Sequence, residues 1–233
     1  ALSFGVSVAA ENEINYPLIG DRAESFSAES TKGAINFPED YWNKWVVLFS
    51  HPADFTPVCT SEIMAFAEKQ EEFDKLGCEL IGLSVDGVSS HVSWMNEISK
   101  INFNGMENVQ VNFPVISDIN LNVSKKYGMI HPKSSKTHTI RSVFIIDDRQ
   151  KIRAILTYPM ESGRNMDEIL RLLRSIQLSD SGNIATPADW KPGDDVIVLP
   201  SPDTKDHMEL FNKQSSGEYT CPAWFFCLKP LKI

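Results

Sequence analysis

The rhythm of the apolar runs limits the fold of this chain more than any other feature. Short β-branched or apolar stretches recur at VVLFS (46–50), CELIGLSVD (78–86), FPVISD (113–118) and twice within RSVFIIDDRQKIRAILTYP (141–159). Their length and composition are those of buried strands. Between them, apolar residues recur every three or four positions, the period of a helix face. One helix is expected over 59–76, with Ile63, Phe66, Phe73 and Leu76 inward and Gly77 as its C-terminal cap. Others are expected over 89–100, briefly up to Tyr127, and over 165–179. In the last, Asn165 and Glu168 suit an N-cap and its partner, and Ile169, Leu172, Leu173 and Ile176 form the buried stripe. The 141–159 segment reads as a hairpin turning at Asp147–Gln150. Strand, helix, strand, helix, strand, hairpin, helix describes an α/β chain: a thioredoxin-like fold, a central mixed β-sheet flanked by helices.

That rhythm stops near residue 180. TPADWKPGDDVIVLPSPD (186–203) holds four of the chain's 13 prolines. Residues 181–233 are therefore expected as an extended C-terminal segment, without regular elements or a core of its own. Such an arm wraps either its own domain, 1–180, or a second subunit. With 233 residues, 42% of them hydrophobic, the chain can bury one substantial core. No apolar run approaches the roughly 20 residues of a membrane span, so no membrane role is expected. Lys and Arg number 22 against 31 Asp and Glu, and no run of five basic residues occurs, which argues against nucleic-acid partners. The opening ALSFGVSVAAENE lacks the basic flank of a secretory signal, and a soluble cytoplasmic protein is expected.

Chemistry concentrates in HPADFTPVCTSE (51–62), where a strand gives way to a helix. Cys59 falls in or just before the first helical turn, where unpaired N–H groups and the helix dipole favour an anion and draw a thiol toward thiolate. Pro57 fixes the loop, Pro52 can wall off water, and the Thr56 hydroxyl can lie beside the sulfur. A buried, inert thiol is the plainer alternative. A thiolate reducing a peroxide needs donors along the O–O axis, and a guanidinium suits that task. Arg141, opening its strand, lies at the same end of the sheet, where it is equally an ordinary strand-edge cation. Glu62 lies one turn into the helix. Cys221 and Cys227 are separated by five residues, outside the usual spacing of paired zinc thiolates. Redox chemistry without metal or cofactor is the better account, and Cys78 is a core residue. A disulfide reductase would need a second cysteine where Glu62 stands.

The segment FSHPADFTPVCTSE contains the P-x-x-x-T-x-x-C signature of peroxiredoxins as Pro52, Thr56 and Cys59. With His51 before it, it resembles the peroxiredoxin-6, or one-cysteine, subfamily. RSVFIID (141–147), YPMESGRNMDEILR (158–171) and TPADWKPGDDVIV (186–198) extend the similarity from about residue 16 onward. The resemblance implies a thioredoxin-like AhpC/TSA-type domain over 1–180 and a dimer-contacting arm over 181–233. It implies a thiol peroxidase for hydrogen peroxide and organic hydroperoxides, regenerated by a thioredoxin-like protein or a small thiol, and working as a homodimer or a decamer. Cys59 would attack and become a sulfenic acid, and Thr56 would bond peroxide and thiolate. Arg141 would stabilise developing charge, and Pro52 would shield the sulfenic acid. Glu62 and Arg164 would orient Arg141, and His51 would line the pocket's mouth. No serine stands in a lipase-like frame before the first strand, so the phospholipase activity of mammalian members is not expected. The ending YTCPAWFFCLKPLKI resembles archaeal members, in which a C-terminal cysteine attacks the sulfenic acid of a neighbouring subunit. That implies Cys227 as resolving cysteine and Cys221 as auxiliary or second disulfide partner. A redox sensor or holdase that uses Cys59 as a switch is the alternative.

Overall fold

The computed structural model describes residues 16–199, 212 and 217–231. The opening segment and the prolines at 200 and 202 lie outside them. Seven strands build the main sheet in the order β2-β1-β5-β4-β3-β6-β7. These are β1 (Phe26–Ser30), β2 (Gly33–Phe37), β3 (Trp45–Ser50), β4 (Cys78–Ser84), β5 (Val115–Ser117), β6 (Arg141–Ile146) and β7 (Ile152–Tyr158). The central β5-β4-β3 pairs are parallel and the flanking pairs antiparallel, so the sheet is mixed.

Along β3 the side chains alternate between two cores, as a period of two requires. Val47 and Phe49 join one cluster, Val46 and Leu48 the other, and all four are buried. The Val47 side is covered by α1 (Pro57–Glu68), α2 (Gln70–Lys75), α3 (Val88–Ile98) and α5 (Met166–Asp180), through Ile63, Phe66, Phe73, Trp94 and Leu173. The opposite side packs Phe37, Tyr127 and Val123, the last from α4 (Asn122–Lys126). Phe49 stacks on Phe66 with ring centroids 3.9 Å apart, fastening β3 to α1. Gly82 in β4 faces this stack. An added Cβ would stand 3.2 Å from Val115 and 3.3 Å from Phe49.

Two expectations change, and one hairpin is new. The helix over 59–76 is two helices broken at Lys69, with Phe66 and Phe73 both in the core, and Gly77 follows the second at φ +63°. The hairpin β1–β2 was not legible, because its polar alternation turns at Thr31-Lys32 rather than at a favoured turn pair. The tail does form regular structure. Strands β8 (Ile184–Ala185), β9 (Val196–Val198), β10 (Thr220–Ala223) and β11 (Phe226–Lys229) make a second sheet, β10-β11-β9-β8. Of its described prolines, Pro187 and Pro192 fall between β8 and β9, while Pro222 lies within β10. Its small core of Ile184, Trp190 and Val196 is completed by Leu178 of α5, so the sheet is seated on the last helix of the main unit.

Candidate active site

Helix α1 begins at Pro57, two residues earlier than the sequence suggests, with Thr56 in the N-cap position and extended at φ −106°, ψ 145°. Proline at the first helical position needs no hydrogen-bond acceptor and is already set to helical φ. Cys59 is thus the third helical residue, inside the turn whose N–H groups have no intrahelical partners. Phe55, just before the cap, is held at φ +54°, strained for a residue other than glycine. The loop is pinned in a conformation it would not adopt freely.

Cys59 is fully buried, and its sulfur accepts a hydrogen bond from Arg141 Nη1 at 3.3 Å. The same nitrogen donates to Glu62 Oε2 at 2.6 Å, while Arg141 Nε donates to the Met160 carbonyl at 2.9 Å. Arg164 grips Glu62 from the other side, Nε to Oε1 at 2.7 Å and Nη2 to Oε2 at 2.8 Å. Its backbone N–H also donates to Oε1 at 2.8 Å, and Nη1 reaches the carbonyls of Ser50 and Ser142. The Arg164 guanidinium lies 5.3 Å from the Phe49 ring centroid and 5.4 Å from that of Phe66, so the core stack floors the cluster. Burial would raise the Glu62 carboxyl, but the charge and hydrogen bonds of Arg164, then of Arg141, hold it below its ordinary value.

Two buried guanidinia against one carboxylate leave one positive charge in excess, and an uncompensated buried charge is costly. Cys59 Sγ lies against this excess, 3.3 Å from Arg141 Nη1.

Pro52 is buried. The Thr56 hydroxyl donates to the Ala53 carbonyl at 2.9 Å rather than to the sulfur, which leaves its lone pairs as acceptors. His51 does not line a mouth. It is fully buried, its ring 5.1 Å from that of Trp94 and its Nε2 bonded to Asp54 Oδ1 at 3.0 Å. The cause is the second oxygen of Asp54, which bonds His91 Nδ1 of α3 at 2.8 Å and draws the loop inward. Asp54 and His91 escaped sequence reasoning, since no local pattern reports a contact across 37 residues. Their ligand atoms and that of His51 lie within 4.8 Å of one another, the one such group among the described residues. His51 Nε2, His91 Nδ1 and both Asp54 oxygens are spent on hydrogen bonds to each other, whereas His51 Nδ1 is buried without one.

A groove of about 640 Å³ runs between α1 and α3, walled by Phe55, Met64, Trp94, Ile101 and Phe103. The buried sulfur does not open into it. Far along the chain, Cys221 and Cys227 are joined in a disulfide across the β10–β11 hairpin, while Cys59 and Cys78 are free thiols. Burial raises the Cys78 thiol far above its ordinary value, in keeping with a core residue.

The profile of the AhpC/TSA family matches residues 19–155, more than half of the chain. This chain is a peroxiredoxin. A second profile, for the C-terminal domain of 1-Cys peroxiredoxin, matches residues 175–213. A peroxiredoxin of Methanosarcina mazei is 53% identical over 214 residues, covering 91% of this chain and 97% of its own. One from Aquifex aeolicus is 42% identical over 225 residues, covering 93% and 98%. Among solved structures, yeast mitochondrial 1-Cys peroxiredoxin, described with a thiol-resolving mechanism via glutathione/thioredoxin systems, superposes with a TM-score of 0.78 at 40% identity, over 91% of this chain and 99% of that one. A cysteine-to-serine mutant of the peroxiredoxin 6 of Arenicola marina gives 0.79 at 32% identity, over 93% and 99%. Both share the thioredoxin-like architecture. The peroxiredoxin described here is a thiol-dependent peroxidase, with a peroxide as substrate and a thiol as reductant.

Proposed function

We propose that Cys59 is the reacting sulfur and that Arg141 polarises the peroxide, with Glu62 and Arg164 holding Arg141 in place. The single observation that carries this is the excess positive charge around a sulfur 3.3 Å from Arg141 Nη1. The sulfur donates an electron pair to one peroxide oxygen as the O–O bond breaks. The other oxygen leaves as hydroxide or alkoxide and takes up the proton the thiol gave up. Cys59 becomes a sulfenic acid, shielded by Pro52, while Thr56 accepts a hydrogen bond from the peroxide.

Resolution follows from the tail pair. Cys227, as a thiol, attacks the sulfenic sulfur, and the hydroxyl leaves as water with the thiol proton. Cys221 then attacks the Cys227 sulfur, releasing Cys59 as a thiol and leaving the Cys221–Cys227 disulfide. A thioredoxin-like protein or two small thiols reopen that bond. Because Cys59 is fully buried, the first turn of α1 must open locally before any other sulfur can reach it. The arm over 181–233 would bring its cysteines to a partner in a homodimer, or in a decamer built from such dimers. The half-exposed Trp224 and exposed Phe225 at the hairpin tip suit such a contact. The cytoplasm, a reducing compartment, suits the thiol cycle.

Non-reducing mass spectrometry of fully reduced protein after one equivalent of hydrogen peroxide tests the sequence of steps. A Cys59–Cys227 link should precede the Cys221–Cys227 disulfide, and Cys227→Ser should stop at the sulfenic acid. Continued turnover by Cys59→Ser would overturn the assignment.

A further inference from the structure

Strand β3 ends on a hydroxyl that its packing does not require. Val46 and Leu48 fill one core cluster, and period-two alternation would put a third apolar side chain at position 50. Ser50 stands there instead, fully buried. Its Oγ donates to the Ile140 carbonyl at 2.6 Å and accepts from the Ser142 N–H at 3.1 Å. Those two groups belong to the peptide units on either side of Arg141. One buried hydroxyl therefore spans the residue whose guanidinium meets Cys59.

The same hydroxyl interrupts the ladder. Strand β3 pairs with β6 from Val46 opposite Ile146 to Phe49 opposite Val143. One more rung would join the Ser142 N–H to the Ser50 carbonyl. Because Ser50 Oγ takes that N–H, the rung stays open and the carbonyl is left for another donor. Arg164 Nη1 fills the opening, donating to the Ser50 carbonyl at 2.9 Å and to the Ser142 carbonyl at 3.1 Å. Glu62 holds Arg164 only by Nε and Nη2, and a guanidinium gripped on one edge is free to swing about it. The two carbonyls fix the other edge. The strands stay joined beyond the open rung, since Thr139 Oγ1 donates to the His51 carbonyl at 2.7 Å.

We infer that Ser50 is a positioning residue for peroxide reduction: it bridges the peptides around Arg141 and frees its own carbonyl for Arg164, and so sets the direction of both guanidinia. It acts through these two side chains rather than on the reacting atoms. A transition state that develops charge along one axis depends on donors held in advance on that axis. This deepens the reading of Cys59 as the reacting sulfur beside Arg141 and rests on it.

Ser50→Thr and Ser50→Val add the same bulk and differ only in the hydroxyl, so any packing cost is common to both. Oxidation of Cys59 by hydrogen peroxide should be about 10- to 100-fold slower in Ser50→Val than in Ser50→Thr. Nitrogen-15 NMR of the Arg164 guanidinium reads the grip without turnover. Hindered rotation should give separate Nη–H signals in the wild type and Ser50→Thr, and merged ones in Ser50→Val. Equal rates in the two variants would overturn the proposal, as would a slow Ser50→Val whose Arg164 signals match the wild type. Ser50→Ala, which adds no bulk, should show the same slowing and merging even where the bulkier pair fails to fold, and a wild-type rate there would also overturn it. Wild-type turnover that Cys59→Ser abolishes tests the underlying reading separately, so the two can fail independently.

Discussion

At Arg141, charge and shape can be separated by experiment. Arg141→Lys keeps the charge but loses the fork that reaches Cys59, Glu62 and the Met160 carbonyl together. Removing such a preorganised donor costs roughly 10²–10³ in rate. Stopped-flow tryptophan fluorescence during peroxide addition should show that loss, and an unchanged rate would remove Arg141 from the chemistry. Glu62→Gln leaves two buried guanidinia without their carboxylate and should cost about 3–5 kcal/mol in stability, measured by urea unfolding. The loop and helix start that carry Pro52, Thr56 and Cys59 were legible because a strand end, a cap and two prolines frame them within eight residues of chain. Arg141 and Arg164 were not legible in that way. They meet Glu62 across 79 and 102 positions; strand position made Arg141 no more than an even choice with an ordinary strand-edge cation, and only the family resemblance pointed to Arg164. His91 gave no sign at all, and so the inward pull on His51 was missed.

The β3–α1 unit shows why one element could be foreseen and another could not. A six-residue strand buried on both faces needs an unbroken apolar run, and WVVLFS supplies one. Its packing can be tested through Phe49→Ala, which removes the partner of Phe66 and should cost about 3–5 kcal/mol. Calorimetry would show this as a lower thermal midpoint. The strands of the tail are two to four residues long, too short for any period to declare itself. Pairing β11 with β9 sets Leu228 against Ile197 and Lys229 against Val196, contacts between distant segments that no local pattern specifies. In β1–β2 the local clue was Gly33 at φ +100°, which permits the turn, but nothing apolar announced the strands around it.

For the whole molecule, the two buried carboxylates held below their ordinary values take a leading part in the response to acid. Glu62 and Asp54 lie below their ordinary values of 4.5 and 3.8, so their stabilisation is complete above those values. It is lost as pH falls through the lower, folded-state values. Unfolding free energy should therefore start to fall below about pH 6.5, where the unfolded chain protonates the buried His51 that the fold keeps below its ordinary value, and decline further as the two carboxylates take up protons at more acid pH. Denaturant titrations across pH would check this, and in Glu62→Gln the decline should be shallower. The grip on Glu62 also governs reach. It is held from β6 by Arg141 and from the approach to α5 by Arg164, three positions beyond Cys59. However far the first turn unravels, the chain stays moored there. Three residues at full stretch span only about 10 Å. On the proposal that Cys59 is the sulfur that is oxidised, it is on a short tether, and a thiol that meets it would do most of the travelling.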